Sequence, residues 1–129
     1  MSKKMRVIIH KIHQDEQVFG TDDEYMLATV HASISIDGKI HNVSTQVKQV
    51  VGDKYGKKSI EVSKPEGYKG QLDYDCFRRG VAEAYTRTVG EEGSGIRIIG
   101  ASSVTMSNNT FQINYQFECE VPEESSGSW

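Results

Sequence analysis

The C-terminal segment from Ile96 to Val121 alternates so regularly that it specifies the register and the inner face of a β-hairpin. Asn108 and Asn109 predict a two-residue turn, because asparagine tolerates the left-handed backbone that such a turn requires. Pairing outward from this turn gives six cross-strand pairs: Met106–Phe111, Val104–Ile113, Ser102–Tyr115, Gly100–Phe117, Ile98–Cys119 and Ile96–Val121. A slip by one residue would move every side chain to the opposite face, so the pattern predicts an antiparallel sheet with one apolar face.

Residues 26–36 show a second clear alternation, and Asp37-Gly38 after them is a strong signal for a type I′ turn. Pairing across this turn aligns two apolar faces through three pairs: Ala32–Val43, Val30–Thr45 and Ala28–Val47. The β-branched run Met5–Ile12 predicts a first strand, and the polar residues His13–Glu24 predict a loop after it. Ser59–Ser63 predicts a short edge strand within the loop-rich stretch 52–70.

Leu72–Val89 is the one segment with the pattern of a long amphipathic helix. Asp73 or Asp75 can cap its start, and Gly90 suits its C-terminal end. The apolar stripe comprises Tyr74, Phe77, Val81, Ala84, Tyr85 and Thr88. We also expect ion pairs four residues apart, between Asp75 and Arg79 and between Glu83 and Arg87.

The element order β-β-β-(β)-α-β-β predicts an α+β fold, in which an antiparallel sheet of five to six strands is packed on, or curled around, the helix. With 129 residues the chain is expected to form a single α+β domain over residues 1–121. Residues 122–129 form an acidic, serine-rich tail that we expect to be disordered, and Trp129 at its end is either a docking anchor for a partner groove or without a role.

The composition excludes several classes of protein. The net charge of −3 gives no strong signal for nucleic acid and no attraction to anionic lipid. No apolar run approaches the roughly 20 residues of a membrane span, so we expect a cytoplasmic protein with no membrane partner. Hydrophobic residues make up only 36% of the chain, and a homo-oligomer that supplies a second apolar surface is therefore expected.

The residue types that carry catalysis or bind metals lack a recognisable arrangement. Cys76 and Cys119 do not form a disulfide framework, and we interpret Cys76 as a buried thiol and Cys119 as a small apolar side chain. The four histidines do not have the spacing of metal ligands, and the acidic residues of the 13–24 loop lack the pattern of a calcium loop. We therefore predict no metal, no cofactor and no catalytic residue.

Two lysine-rich stretches, residues 52–58 and 64–70, combine lysines, tyrosines and glycines. Ammonium groups bind phosphate, tyrosine rings stack on bases, and glycines let backbone N–H groups approach an anion. Arginines at the helix start add fork-shaped donors. The predicted ligand-binding residues are Lys54, Tyr55, Lys57, Lys58, Tyr68, Lys69, Arg78 and Arg79. The alternative is a solvated loop whose lysines protect a sheet edge from aggregation.

These observations favour a non-enzymatic binding protein for a small anionic ligand, such as a nucleotide or a nucleotide-derived signal, which it would sense, carry or sequester. A structural or protein-interaction subunit of a larger assembly, viral or secreted, is the alternative from another class. The third hypothesis is a small hydrolase or isomerase with a cavity between the helix and a curled sheet.

Overall fold

The computed structural model describes residues 3–19, 24–52, 59–89, 105–107 and 109–121. The elements are β1 (Lys3–Phe19), β2 (Glu24–Ile36), β3 (Lys39–Gly52), β4 (Ser59–Val62), α1 (Tyr74–Val89), β5 (Thr105–Ser107) and β6 (Thr110–Val121). The strands form one curled antiparallel sheet in the order β4-β3-β2-β1-β6-β5. The predicted α+β class with an antiparallel sheet is confirmed, and the helix is 16 residues long.

Both predicted turns lead into the predicted registers. Across Asp37-Gly38, Ala32 pairs with Val43, and the rest of the β2–β3 ladder follows the same alignment. At the C-terminal hairpin, Met106 pairs with Phe111, as the turn at Asn108-Asn109 requires. Asp37 and Asn109 both have positive φ angles, which is the conformation expected at these turns. The remaining pairs predicted for residues 96–104 lie outside the described residues.

The predicted loop from His13 to Glu24 is wrong in its first part, because β1 continues to Phe19. Two register shifts in the β1–β2 ladder, between Ile9 and Lys11 and between Gln14 and Glu16, explain the error. Each β-bulge adds one residue to β1 and reverses the alternation of its faces. A strand with two such reversals no longer shows a period of two in its sequence, so its polar half resembles a loop.

The helix begins at Tyr74 because Asp73 caps it. Oδ1 of Asp73 accepts a hydrogen bond from the backbone nitrogen of Cys76 at 3.2 Å, and its carbonyl accepts one from the nitrogen of Phe77 at 3.0 Å. The expected ion pairs are present, with Arg79 3.5 Å from Asp75 and Arg87 2.6 Å from Glu83. The buried stripe of the helix packs into the same core as the inner faces of the strands: Phe77, Val81, Ala84, Tyr85 and Val89.

A disulfide bond joins Cys76 of α1 to Cys119 of β6. The interpretation of the two residues as a buried thiol and a small apolar side chain is therefore wrong. They are separated by 43 residues, and two isolated cysteines give no framework pattern in the sequence. They meet because Cys119 lies on the inner face of β6 and the first turn of the helix is packed over that face.

Within the described ranges, no helix is long and apolar enough to cross a membrane.

Candidate functional site

A cleft of about 440 Å³ lies along the segment that connects β4 to α1. The side chains that matter for its chemistry are those of Lys64, Tyr68, Lys69, Leu72 and Tyr74. This volume is within the range of sites for small molecules, roughly 300–1,000 Å³. The cleft is therefore large enough for a ligand that carries a ring and an anionic group.

The first wall of the cleft is fixed by hydrogen bonds to the edge of β3. The nitrogen of Ser63 donates to the carbonyl of Gln46 at 2.9 Å. Glu66 and Ser44 exchange two backbone hydrogen bonds of 2.8 and 3.0 Å, so the chain after β4 continues along the same edge. Two ladder contacts hold the backbone on either side of Lys64 and Pro65, and this positions Lys64 at the cleft.

Gly67 sets the turn that leads from this wall into the cleft. Its φ angle is +109°, a conformation that residues with a side chain rarely adopt. A Cβ atom at this position would also collide with the backbone carbonyl of Asn42. Glycine is therefore required both for the backbone angle and for the close approach to β3, and it directs the chain toward Tyr68.

Tyr68 is held in place at both ends of its side chain. Its hydroxyl donates a hydrogen bond to the carbonyl of Gln71 at 2.9 Å. Its ring lies 5.0 Å from the ring of His41, centroid to centroid, at an interplanar angle of 67°. An edge-to-face contact of this kind is favourable, and together with the hydrogen bond it leaves the half-buried ring few alternative positions.

The second wall is the start of the helix, which contributes Leu72 and Tyr74. The hydroxyl of Tyr74 donates a hydrogen bond to the carbonyl of Val62, the last residue of β4. This bond and the Asp73 cap fix the helix start against β4. The disulfide at Cys76 fixes the same turn against β6.

Lys64 and Lys69 are the cationic groups of the cleft, and both residues are exposed. Neither forms an ion pair with an acidic residue in the part of the chain that the structure describes. Their ammonium groups therefore remain available to an anion. Lys64 was not among the predicted site residues, although its place beside Pro65 in a lysine-rich stretch was the signal that could have included it.

Arg78 and Arg79, predicted to join the site, do not line the cleft. Both pair with Asp75, Arg78 at 2.6 Å and Arg79 at 3.5 Å. The pKa of the Asp75 carboxyl is lowered, mainly by the hydrogen bond from Arg78 and to a smaller extent by the charge of Arg79. Tyr68 and Lys69 are thus the predicted residues that the structure places at the cleft. Lys54, Tyr55, Lys57 and Lys58 lie outside the described residues.

The outer face of the sheet, which points away from the helix, carries a second group of polar side chains. His10 Nε2 lies 2.7 Å from the Ser33 hydroxyl, and His13 Nδ1 lies 2.7 Å from the Thr110 hydroxyl. Burial, and then the charge of Lys11, lowers the pKa of His31. Among the described residues, no group of three or more His, Cys, Asp or Glu side chains is arranged to hold a metal ion.

Comparison with protein-family models, with curated proteins and with solved structures finds no match to this chain. The assignment of a function therefore depends on the geometry of the cleft.

Proposed function

We propose that this protein binds a small organic anion, of the nucleotide class, in the cleft along the segment that connects β4 to α1. The observation that carries the proposal is that two exposed lysines, Lys64 and Lys69, and two positioned tyrosines, Tyr68 and Tyr74, line the same cleft. The lysines neutralise a phosphate or carboxylate group, and an aromatic wall with Leu72 accommodates a ring.

Holding a ligand suits this cleft better than transforming it. Catalytic sites concentrate groups with perturbed pKa values. Among the described residues, the groups with shifted pKa values are His31, Asp75, Tyr85 and Tyr115, and none of these four lines the cleft. This distribution supports sensing, carrying or sequestering the ligand without a chemical step.

Two parts of the proposal concern the surroundings of the protein. A homo-oligomer would allow a second subunit to close the exposed side of the cleft, as the low apolar content predicts. We also propose a cytoplasmic location. Permanent disulfides are rare in the cytoplasm, so this location requires the Cys76–Cys119 disulfide to form and break there.

Titration calorimetry with AMP, adenosine and inorganic phosphate tests the proposal. We expect AMP to bind more tightly than either fragment, because only AMP engages the lysines and the aromatic wall together. The variant Lys64→Gln/Lys69→Gln is expected to bind AMP about tenfold more weakly, which corresponds to about 1.4 kcal/mol.

The matched control is Lys4→Gln/Lys39→Gln, which removes the same charge from two exposed lysines away from the cleft. We expect its affinity for AMP to stay within about twofold of the wild type, because exposed charges at a distance are screened by salt. Equal losses in both variants would mean that only net charge attracts the anion, and absence of AMP binding by the wild type would contradict the proposal.

The predicted residues outside the described ranges are tested separately. The double substitution Lys57→Ala/Lys58→Ala is expected to abolish AMP binding and to change the free energy of unfolding by less than about 0.5 kcal/mol. AMP binding that is unaffected by this change would remove residues 52–58 from the site. Native mass spectrometry of the same samples reports the oligomeric state, and large assemblies without ligand would favour the structural subunit instead.

A further inference from the structure

The start of α1 is attached to strands near both ends of the sheet. Toward β4, the Tyr74 hydroxyl is bonded to the carbonyl of Val62, and toward β6, Cys76 is bonded to Cys119. In the strand order, β4 lies at one edge and β6 lies next to the other. The two attachments therefore hold one helical turn from opposite sides.

This doubly attached turn is also a wall of the cleft. Leu72 and Tyr74 line the cleft, and Cys76 follows two residues later in the first turn of the same helix. A rigid helical turn transmits a shift at Cys76 to Tyr74, because consecutive helical residues move together. Loss of the disulfide removes the covalent attachment to β6 and leaves the turn held by the Tyr74 hydrogen bond, the Asp73 cap and the packing of Phe77 in the core.

We propose that the Cys76–Cys119 disulfide controls the affinity of the cleft, which is high in the oxidised protein and low in the reduced one. The inference rests on the proposed function, since it concerns the regulation of that same site. The partner reactant is a low-molecular-weight dithiol or monothiol such as glutathione.

The reaction is thiol–disulfide exchange. A thiolate attacks Sγ of Cys76, the more accessible of the two residues, since Cys119 is only 3% exposed. The protein S–S bond breaks and a mixed disulfide forms. A second thiolate attacks the mixed disulfide at the small molecule's sulfur, which yields two protein thiols and one oxidised glutathione. Two electrons and two protons pass from two glutathione molecules to the protein.

Thermodynamic linkage makes the proposal reciprocal. If oxidation strengthens AMP binding by a given factor, then saturating AMP must favour the disulfide over the dithiol by the same factor. A disulfide that only stabilised the fold, without changing the cleft, would show no such dependence on AMP.

The experiment compares the full chain in its oxidised form, the same protein after dithiothreitol treatment, and the variant Cys76→Ser/Cys119→Ser. We expect AMP to bind about tenfold more weakly to the reduced protein and to the variant, both of which remain folded by circular dichroism. Saturating AMP is expected to raise by about tenfold the equilibrium constant for disulfide formation in glutathione buffers. Equal AMP affinity in the oxidised and reduced proteins, or unfolding of the reduced protein, would overturn the proposal and leave the disulfide as a structural crosslink.

A readout without AMP separates this inference from the proposed function. The amide of Phe77, which donates to the carbonyl of Asp73, reports opening of the helix start. We expect its hydrogen exchange to become about tenfold faster on reduction, through local openings that do not depend on denaturant. If the oxidised protein fails to bind AMP but this local opening occurs, the ligand class is wrong and the conformational control stands. Unchanged local exchange at Phe77 contradicts the control itself.

Discussion

The hydroxyl of Tyr85 donates a hydrogen bond to Oε1 of Gln49, at 3.0 Å, inside the core between α1 and β3. Both residues are almost completely buried, with Tyr85 0% and Gln49 4% exposed. A buried hydrogen bond between uncharged groups contributes about 1 kcal/mol to stability.

We predict that Tyr85→Phe lowers the free energy of unfolding by about 1 kcal/mol, because the ring is retained while the hydroxyl and its hydrogen bond to Gln49 are removed. Urea denaturation measures the change. Tyr115→Phe is the control, since Tyr115 is only half-buried, and we expect a change below about 0.5 kcal/mol. A Tyr85→Phe variant as stable as the wild type would mean that the core hydrogen bond contributes no net stability.

The alkaline limit of stability is predicted to depend on Tyr85. Burial raises the pKa of its hydroxyl from 10.0 to about 12. Above pH 10 the unfolded chain therefore loses this proton while the folded protein retains it, and stability falls as the pH rises toward 12. The wild type is expected to lose roughly 2–3 kcal/mol relative to Tyr85→Phe over this interval, as measured by urea denaturation at each pH. Parallel pH profiles of the two proteins would contradict this assignment.

His31 is predicted to have the opposite pH dependence. Burial and the charges of Lys11 and His13 lower its pKa below 6.5, whereas the charge of Asp15 raises it. In acid the unfolded chain binds this proton more readily, so the stability that is present above pH 6.5 declines as the pH falls. We expect His31→Asn to lose less stability than the wild type between pH 7 and pH 5, as measured by melting temperatures across that range. A steeper decline in the variant would show that protonation of His31 stabilises the folded protein.

The packing of α1 on β6 is predicted to depend on Gly80. A Cβ atom at this position would overlap the ring of Phe117. Alanine in a helix is normally favoured over glycine by about 1 kcal/mol, yet we expect Gly80→Ala to destabilise the protein by about 1–3 kcal/mol because of this overlap. Denaturant unfolding of the wild type, Gly80→Ala, Phe117→Leu and the double variant gives a double-mutant cycle.

In that cycle, the double variant is expected to be more stable than the sum of the two single changes predicts, because leucine leaves room for the added methyl group. Additive effects would indicate that the cost of Gly80→Ala does not arise from the ring of Phe117. Ala82→Gly is the control for helix propensity alone, and it is expected to cost about 1 kcal/mol.

Local patterns in the sequence were sufficient to predict several features of the fold. The pairing of Ala32 with Val43 and of Met106 with Phe111 follows from turn chemistry and alternation within a single hairpin. The cap at Asp73 and the buried stripe of α1 likewise depend on residues within a few positions of one another. Tyr68 and Lys69, which line the cleft, come from a short stretch of sequence that combines lysine, tyrosine and glycine, and their role in binding stays a prediction.

Other features depend on contacts between residues that are distant in sequence, and these required the tertiary structure. The pairing of β1 with β6 joins Met5 to Cys119, and no local pattern indicates which strands become neighbours. The bulges that extend β1 conceal its alternation.

The disulfide and the cleft follow from the same long-range packing. Packing of α1 over β6 brings Cys76 to Cys119, and packing of the same helix against β4 places Tyr74 at the cleft that Lys64 also lines. The sequence by itself thus determined the helix, the two hairpin registers and their inner faces, but not the second half of β1, since local backbone preferences and the period of apolar residues reveal an element only where no bulge interrupts that period. The tertiary structure decided which faces meet, because burial of the shared core selects one arrangement of strands and helix from several with the same local pattern.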